Sequence, residues 1–169
     1  MIKKFLILFL LLHWFFYPQH SFLTWKEDRI DFQVIHQNYE WLDKDIYFHI
    51  LQNSNRYKID MRFICSLIQT ESGGQNIRSR RMNSNGTYDH GYMQINEVHL
   101  PANSTIDILY DPMINIQIGA NYLNKCLEKS NGNMSEAIRM YNQGLNGNVN
   151  NYKNWRYVSD VLNNYIASL

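Results

Sequence analysis

The sequence predicts a mainly α-helical protein with one domain, and three observations support this prediction. Apolar residues recur at helical spacing in successive segments, and residues that favour helix caps and turns separate those segments. The chain has 169 residues, of which 45% are hydrophobic, which is enough for one domain with a packed core. Turn residues around one short apolar stretch predict a small irregular or β-hairpin segment at 83–96.

The segment Asp60–Glu71 is predicted to be the central helix. Asp60 is a favourable N-cap, because its carboxylate can accept hydrogen bonds from the free N–H groups of the first turn. Glu71 continues an apolar stripe at helical spacing, and Gly73 is expected to end the helix soon after it. The apolar members of this stripe are Ile64, Leu67 and Ile68.

Glu71 is therefore predicted to be a carboxyl group that faces the core. Burial disfavours the charged form, so the pKa of this group should rise. A carboxyl with a raised pKa suits a general acid that works near neutral pH. The residue pattern alone also fits a buried Glu paired with Lys or Arg, or a frayed helix end that faces water.

Further helices are predicted from the same periodicity and capping signals. One should span 39–52 and be broken by Asn53-Ser54-Asn55, and another should open at Asp111-Pro112, with Asp as the cap, and extend to Leu127. The last two should run from Ser135 to Gly144 and from Trp155 to Ile166.

Residues 1–21 are predicted to be a signal peptide or an N-terminal membrane anchor. Lys3 and Lys4 precede an apolar run that is shorter than the about 20 residues of a membrane span. Residues 22–41 are predicted to be a lead-in segment, and 42–169 the main domain. In an exported chain Cys65 and Cys126 can pair, which would tie the central helix to the core, or remain two buried thiols.

Composition and motifs argue against several classes of function. The formal net charge is +1, so the chain has no bulk field for nucleic acid. The sequence contains no phosphate loop, no dinucleotide fingerprint and no nucleophile elbow. Its six His residues are scattered and form no HExxH pair, so no cofactor and no metal is expected.

Four short motifs in a fixed order resemble the soluble lytic transglycosylase (SLT) domain family of the lysozyme-like superfamily, which cleaves peptidoglycan. They are Glu71-Ser72-Gly73, Gly91-Tyr92-Met93-Gln94-Ile95, Tyr141-Asn142-Gln143-Gly144 and Tyr157-Val158. The likeness covers residues 42–166. The short format is most similar to the small transglycosylases that accompany secretion and pilus systems.

The resemblance implies a lysozyme-like fold and a single catalytic acid/base, Glu71. This residue would protonate the β-1,4 glycosidic oxygen between N-acetylmuramic acid and N-acetylglucosamine. It would then accept a proton from the muramoyl C6 hydroxyl, which gives a 1,6-anhydromuramoyl end without consuming water. The implied substrate-binding residues are Ser72, Met93, Gln94, Tyr141, Asn142 and Tyr157. Of these, Ser72 would bond near the substrate or hold the Glu71 backbone, and Tyr157 would orient the Glu71 carboxyl.

The sequence departs from the family pattern at three positions that concern the cleft walls. Gly74 stands where an aromatic residue is frequent, Tyr92 replaces the usual Leu, and Gln143 replaces a small residue. None of these departures removes a catalytic group.

Asp89 is a possible second carboxylate, because it resembles the Asp that precedes a similar motif in animal-type lysozymes. Glu71 and Asp89 together would suit a retaining hydrolase, whose two carboxyl groups are about 5 Å apart. Alternatively, Asp89 only accepts hydrogen bonds from loop amides. The competing predictions are therefore a lytic transglycosylase, a muramidase that uses both carboxyls, and a wall-binding module without activity.

The resemblance also implies partners and a location. We expect peptidoglycan glycan strands as the substrate, secretion or pilus proteins as possible partners, and a monomer. We expect the protein in the periplasm or cell envelope, with the N-terminal segment as a possible inner-membrane anchor.

Overall fold

The computed structural model describes residues 32–147 and 155–169, and residues Ile35–Leu169 belong to one compact unit. Residues 1–31, which contain the predicted signal and half of the lead-in, lie outside the described residues. No helix in the described part of the chain is both long enough and apolar enough to cross a membrane.

The described elements are helices with one small antiparallel sheet, as the sequence predicts. Residues 32–38 are helical. The helices that follow are α1 (Lys44–Tyr57), α2 (Met61–Ser72), α3 (Pro112–Lys129), α4 (Met134–Gln143) and α5 (Trp155–Ala167). The strands are β1 (Asp89–His90) and β2 (Ile95–Asn96), and two short 3-10 helices span Glu97–His99 and Ile106–Tyr110.

The central helix α2 has the caps that the sequence predicts. The Asp60 carboxylate accepts a hydrogen bond from the backbone N–H of Arg62, and Gly73 ends the helix in the left-handed conformation with φ of 63°. Seven of its residues are buried, namely all from Met61 to Ile68 except Arg62, so protein surrounds most of the helix. It packs against α1 and α5, while α3 packs against α1 and α4.

The prediction for the first helix is wrong at both ends. Helix α1 begins after Asp43, whose carboxylate accepts a hydrogen bond from the N–H of Ile46, and it continues through the predicted break to Tyr57. Asn53 stays helical and is buried, and its amide donates to the carbonyl of His49 at 2.8 Å. The helix ends at Lys58, which adopts the left-handed conformation. The packing of this buried helix face therefore outweighs the preference of Asn for turns.

The other predicted elements are confirmed with small shifts of their ends. Asp111 caps α3 and Pro112 is its first residue, Asn133 caps α4, and α5 begins at Trp155. The hairpin pairs Asp89 with Asn96 and His90 with Ile95.

The two thiols of the described residues are not joined. Cys65 on α2 and Cys126 on α3 are both buried and free. Burial raises the pKa of the Cys126 thiol to about 12, and it raises the pKa of Cys65 further, so both act as apolar core groups.

Candidate active site

Glu71 lies in the last turn of α2, where the buried stripe of that helix meets a cleft. Its side chain is half-buried and lines the cleft. The hydroxyl group of Tyr157, on α5, donates a short hydrogen bond to Oε1 of Glu71. One carboxyl oxygen is thus fixed by protein, which leaves the other oxygen for proton transfer.

Burial controls the acidity of this carboxyl group. It raises the pKa of Glu71 from 4.5 to about 7; the hydrogen bond from Tyr157 opposes the rise, and the negative charge of Asp89 adds to it. At neutral pH the acid and its conjugate base are therefore both populated. A group that first donates and later accepts a proton needs this balance.

The cleft has a volume of about 600 Å³ and is lined mainly by polar side chains. Side-chain amides form much of its wall, so it offers many donors and acceptors to a neutral polar ligand. The amide-bearing lining residues are Asn83, Asn85, Gln94, Asn96, Asn121, Asn142 and Gln143.

Asp89 lines the same cleft from strand β1, but loop amides hold it. Its Oδ1 accepts hydrogen bonds from the amide groups of Asn83, at 2.9 Å, and Asn96, at 2.7 Å. Its backbone N–H donates to the Ser79 hydroxyl. This is the arrangement expected of a carboxylate that organises a loop, and it also places a negative charge near Glu71.

Asn115, a buried residue of α3, fixes the hairpin to the core. Its amide nitrogen donates to the carbonyls of His90, at 2.8 Å, and Leu109, at 2.7 Å. Its amide oxygen accepts from the N–H of Met93, at 2.8 Å. The backbone around Gly91 lies so close that a Cβ there would be 2.1 Å from the Asn115 amide, so the turn requires glycine.

A pair of tyrosines forms the wall next to Glu71. The Tyr141 hydroxyl donates to the carbonyl of Met93 at 3.0 Å, and its ring lies 5.4 Å from the ring of Tyr122. Burial and the neighbouring Glu71 charge raise the pKa of Tyr141 well above its ordinary value, so its phenol remains neutral. Both rings line the cleft and suit contact with the apolar faces of sugars.

The family model described as "Transglycosylase SLT domain" matches residues 48–161. The chain belongs to this family. The matched region contains Glu71 and every residue that the resemblance assigns to the site.

A solved structure of the lytic transglycosylase Slt from Pseudomonas aeruginosa, an inactive mutant, has a similar fold. The two chains are 19% identical, with a TM-score of 0.57 over 70% of this chain and 23% of that chain. The match therefore spans less than a quarter of the Slt chain, and it supports the predicted lysozyme-like transglycosylase fold.

The SLT domain brings five of the predicted residues together at the cleft. They are Glu71, Asp89, Gln94, Tyr141 and Asn142. Gln94 adopts a positive φ of 48°, and its amide nitrogen donates to the carbonyls of Gly91 and Ile77. Tyr157 is bonded to Glu71, as the resemblance implies.

Two predicted substrate-binding residues are placed elsewhere. Met93 is fully buried, and a Cβ added at Gly119 of α3 would lie 2.4 Å from the Met93 sulfur. The Met93 side chain therefore belongs to the core and does not line the cleft. Ser72 is not a cleft-lining residue, because its hydroxyl donates to the carbonyl of Tyr92 at 2.7 Å. That bond ties the end of α2 to the hairpin, so Ser72 supports Glu71 indirectly.

Two departures from the family pattern have structural explanations. A Cβ at Gly74 would lie 2.0 Å from Cγ of Trp41, so the Trp41 ring occupies the space beside this glycine. Gln143 lines the cleft, and its amide oxygen accepts from the guanidinium of Arg139.

Several cleft residues were not predicted from the sequence. Helix α3 contributes Ile118, Asn121, Tyr122 and Lys125, which recur at helical spacing and form one wall. The helical spacing is visible in the sequence, but spacing alone does not show whether a helix face packs in the core or borders a cleft. No group of His, Cys, Asp or Glu that could hold a metal ion occurs among residues 32–147 and 155–169.

Proposed function

We propose that this chain is a peptidoglycan lytic transglycosylase in which Glu71 is the catalytic acid and base. The observation that carries the proposal is the environment of Glu71: a half-buried carboxyl with a pKa raised to about 7 by burial, held by Tyr157, at the wall of an amide-lined cleft. Membership of the SLT family supports the same reaction and substrate.

In the first step protonated Glu71 donates its proton to the glycosidic oxygen, and the bond from that oxygen to the muramoyl anomeric carbon breaks. The carboxylate of Glu71 then accepts the proton of the muramoyl C6 hydroxyl, whose oxygen bonds to the anomeric carbon. Glu71 ends protonated, as it began, and no water is consumed. The tyrosine pair Tyr122 and Tyr141 would contact the sugar faces, while Gln94 and Asn142 would bind polar sugar groups.

A muramidase reaction with Asp89 as the second carboxylate is the competing function. The observation in its favour is that Asp89 lines the same cleft and affects the acidity of Glu71. Against it, Oδ1 of Asp89 is engaged by Asn83 and Asn96. The amide contacts match an organising role better than a nucleophilic one.

The test compares turnover of purified peptidoglycan by the parent chain, Glu71→Gln and a matched control, Glu128→Gln. Glu128 is exposed on α3, and its carboxylate accepts from Asn124 at 2.8 Å, a bond that an amide oxygen preserves. Glu71→Gln should lose a factor of about 10²–10⁴ in rate, and Glu128→Gln should match the parent. Cleavage at the same rate by the parent and Glu71→Gln would contradict the assignment of Glu71, and cleavage by neither protein would leave a wall-binding module.

We also propose that the chain acts in the cell envelope, where it opens peptidoglycan locally for a secretion or pilus apparatus. The support is the sequence of residues 1–21, with Lys3 and Lys4 before an apolar run, and the location of the substrate outside the inner membrane. Fractionation of cells that produce the full chain tests this location, and recovery in the cytosol alone would contradict it.

A further inference from the structure

Helix α3 presents a row of four side chains along one wall of the cleft. Asn121 and Tyr122 each lie three or four residues from Ile118 and from Lys125, so the four side chains share one face of the helix. The row begins with apolar and amide groups and ends with a cation. Its last member, Lys125, has no role in the chemistry proposed above.

Lys125 is the one ammonium group among the described residues that line the cleft. Its side chain is exposed, and it takes part in none of the ion pairs formed within the described part of the chain. Lys129, one turn further along α3, is also exposed and also absent from these ion pairs, but it lies outside the cleft lining and donates a hydrogen bond to Asn146 at 2.7 Å.

The position of Lys125 separates it from the reacting centre. Tyr122 contacts Tyr141, which lines the cleft beside Glu71. Lys125 follows Tyr122 by three residues, which is a rise of about 4.5 Å along the helix. Glu71 and Lys125 line the same cleft, so a substrate held at Glu71 can present an attached group to Lys125.

We propose that Lys125 is a specificity-determining residue that binds a carboxylate carried on the muramoyl side arm of the substrate. This inference rests on the proposed function and names the form of glycan that the cleft prefers. In peptidoglycan the lactyl arm of each muramoyl residue ends either in a stem peptide, which carries carboxylates, or in its own free carboxylate. Both sources provide the same anionic group, whereas strands of N-acetylglucosamine alone provide none.

The charges of the cleft favour this arrangement. Glu71 and Asp89 are the carboxyl groups of the described lining and Lys125 is its ammonium group, so Lys125 is the lining side chain whose charge attracts an anionic group on the substrate. An exposed ion pair of this kind changes a dissociation constant by roughly 2- to 5-fold, and salt screens it.

The test measures dissociation constants by calorimetry in the full chain carrying Glu71→Gln, so that the ligand is not cleaved. Lys125→Met is compared with Lys129→Met, which removes a lysine from the same helix outside the cleft. Three ligands of equal length are used: peptide-bearing muramoyl oligomers, peptide-free muramoyl oligomers, and neutral N-acetylglucosamine oligomers. Thermal unfolding of each variant verifies that it is folded.

Lys125→Met should raise the dissociation constant of a muramoyl ligand by roughly 2- to 5-fold, and salt at about 0.5 M should remove the difference. An effect confined to the peptide-bearing ligand assigns the carboxylate to the stem peptide, and an effect on the peptide-free ligand assigns it to the lactyl group. Equal effects on all three ligands, or none, would overturn the inference. A parent chain that makes no anhydromuramoyl ends while the charge-dependent effect persists would instead overturn the proposed function.

Discussion

Replacing Tyr157 with Phe removes the hydroxyl that donates to Oε1 of Glu71 and leaves the ring in place. The hydrogen bond lowers the pKa of Glu71, so its loss should move that pKa upward from about 7. A hydrogen bond to a charged group contributes about 1.5–3 kcal/mol, which corresponds to about 1–2 pKa units. The descending limb of the pH profile should therefore shift upward by this amount.

The assay is the pH dependence of kcat/KM on solubilised glycan strands, which reports the ionisation of the free enzyme. Tyr165→Phe is the matched control, because Tyr165 also lies on α5 and its hydroxyl donates to a carboxylate, Oδ2 of Asp60, that is not a cleft-lining group. This control should leave the limb unmoved. If the descending limb of the Tyr157→Phe pH profile stays in place or moves to lower pH, the hydrogen bond does not lower the pKa of Glu71 as proposed.

Four further predictions follow from the site and its supports. Asp89→Asn should keep most activity. The descending limb of its pH profile should move to lower pH, because the substitution removes a negative charge that raises the pKa of Glu71. A loss of activity as deep as that of Glu71→Gln would favour the muramidase mechanism. Tyr141→Ala should reduce kcat/KM by roughly tenfold, about 1.4 kcal/mol. Tyr141→Phe loses only the hydrogen bond to Met93 and should reduce kcat/KM less. If Tyr141→Ala has the same kinetics as the parent, Tyr141 does not contact the sugar as proposed. Asn115→Ala should lower the free energy of unfolding by about 3 kcal/mol in urea denaturation, since three buried backbone groups lose their partners; a change below about 1 kcal/mol would contradict this. Glu71→Gln should be more stable than the parent at pH 8 and equally stable below pH 4.5, as measured by thermal unfolding. A gain in stability of the same size at both pH values would contradict the raised pKa of Glu71 as its cause.

The sign of the last prediction follows from the direction of the pKa shift. The folded-state pKa of Glu71, about 7, lies above the ordinary value of 4.5 for a Glu side chain in water. Between these values the unfolded chain releases a proton that the folded chain retains, so the parent loses stability as the pH rises, and above 7 the loss is constant. The amide of Glu71→Gln does not titrate, so the variant escapes this loss.

Local signals predicted the central helix and the acidity of its last carboxyl group. Asp60 and Gly73 fix the ends of α2 by capping, which depends on neighbouring residues alone. The placement of Glu71 on an apolar stripe predicted the rise of its pKa, because the stripe is buried in the folded chain. In contrast, the bond to Tyr157 joins residues 86 positions apart, and only the family resemblance indicated it.

Tertiary packing decided the features that the sequence did not predict correctly. Met93 was expected in the cleft, but the missing side chain of Gly119 leaves room for it in the core. Ser72 was expected to bond near the substrate or to hold the Glu71 backbone, and its hydroxyl donates to the carbonyl of Tyr92 in the hairpin, a contact between distant residues that the sequence did not indicate. The wall that contains Lys125 was not predicted, since periodicity alone does not distinguish a packing face from a cleft wall.

The identity of the cleavage product tests the central claim most directly. Purified peptidoglycan would be digested by the full chain in water enriched in ¹⁸O, and the masses of the released muropeptides would be measured by mass spectrometry. The account predicts 1,6-anhydromuramoyl ends without incorporated ¹⁸O, because the C6 hydroxyl of the substrate attacks the anomeric carbon. Reducing muramoyl ends that carry ¹⁸O would contradict it and make the protein a hydrolase.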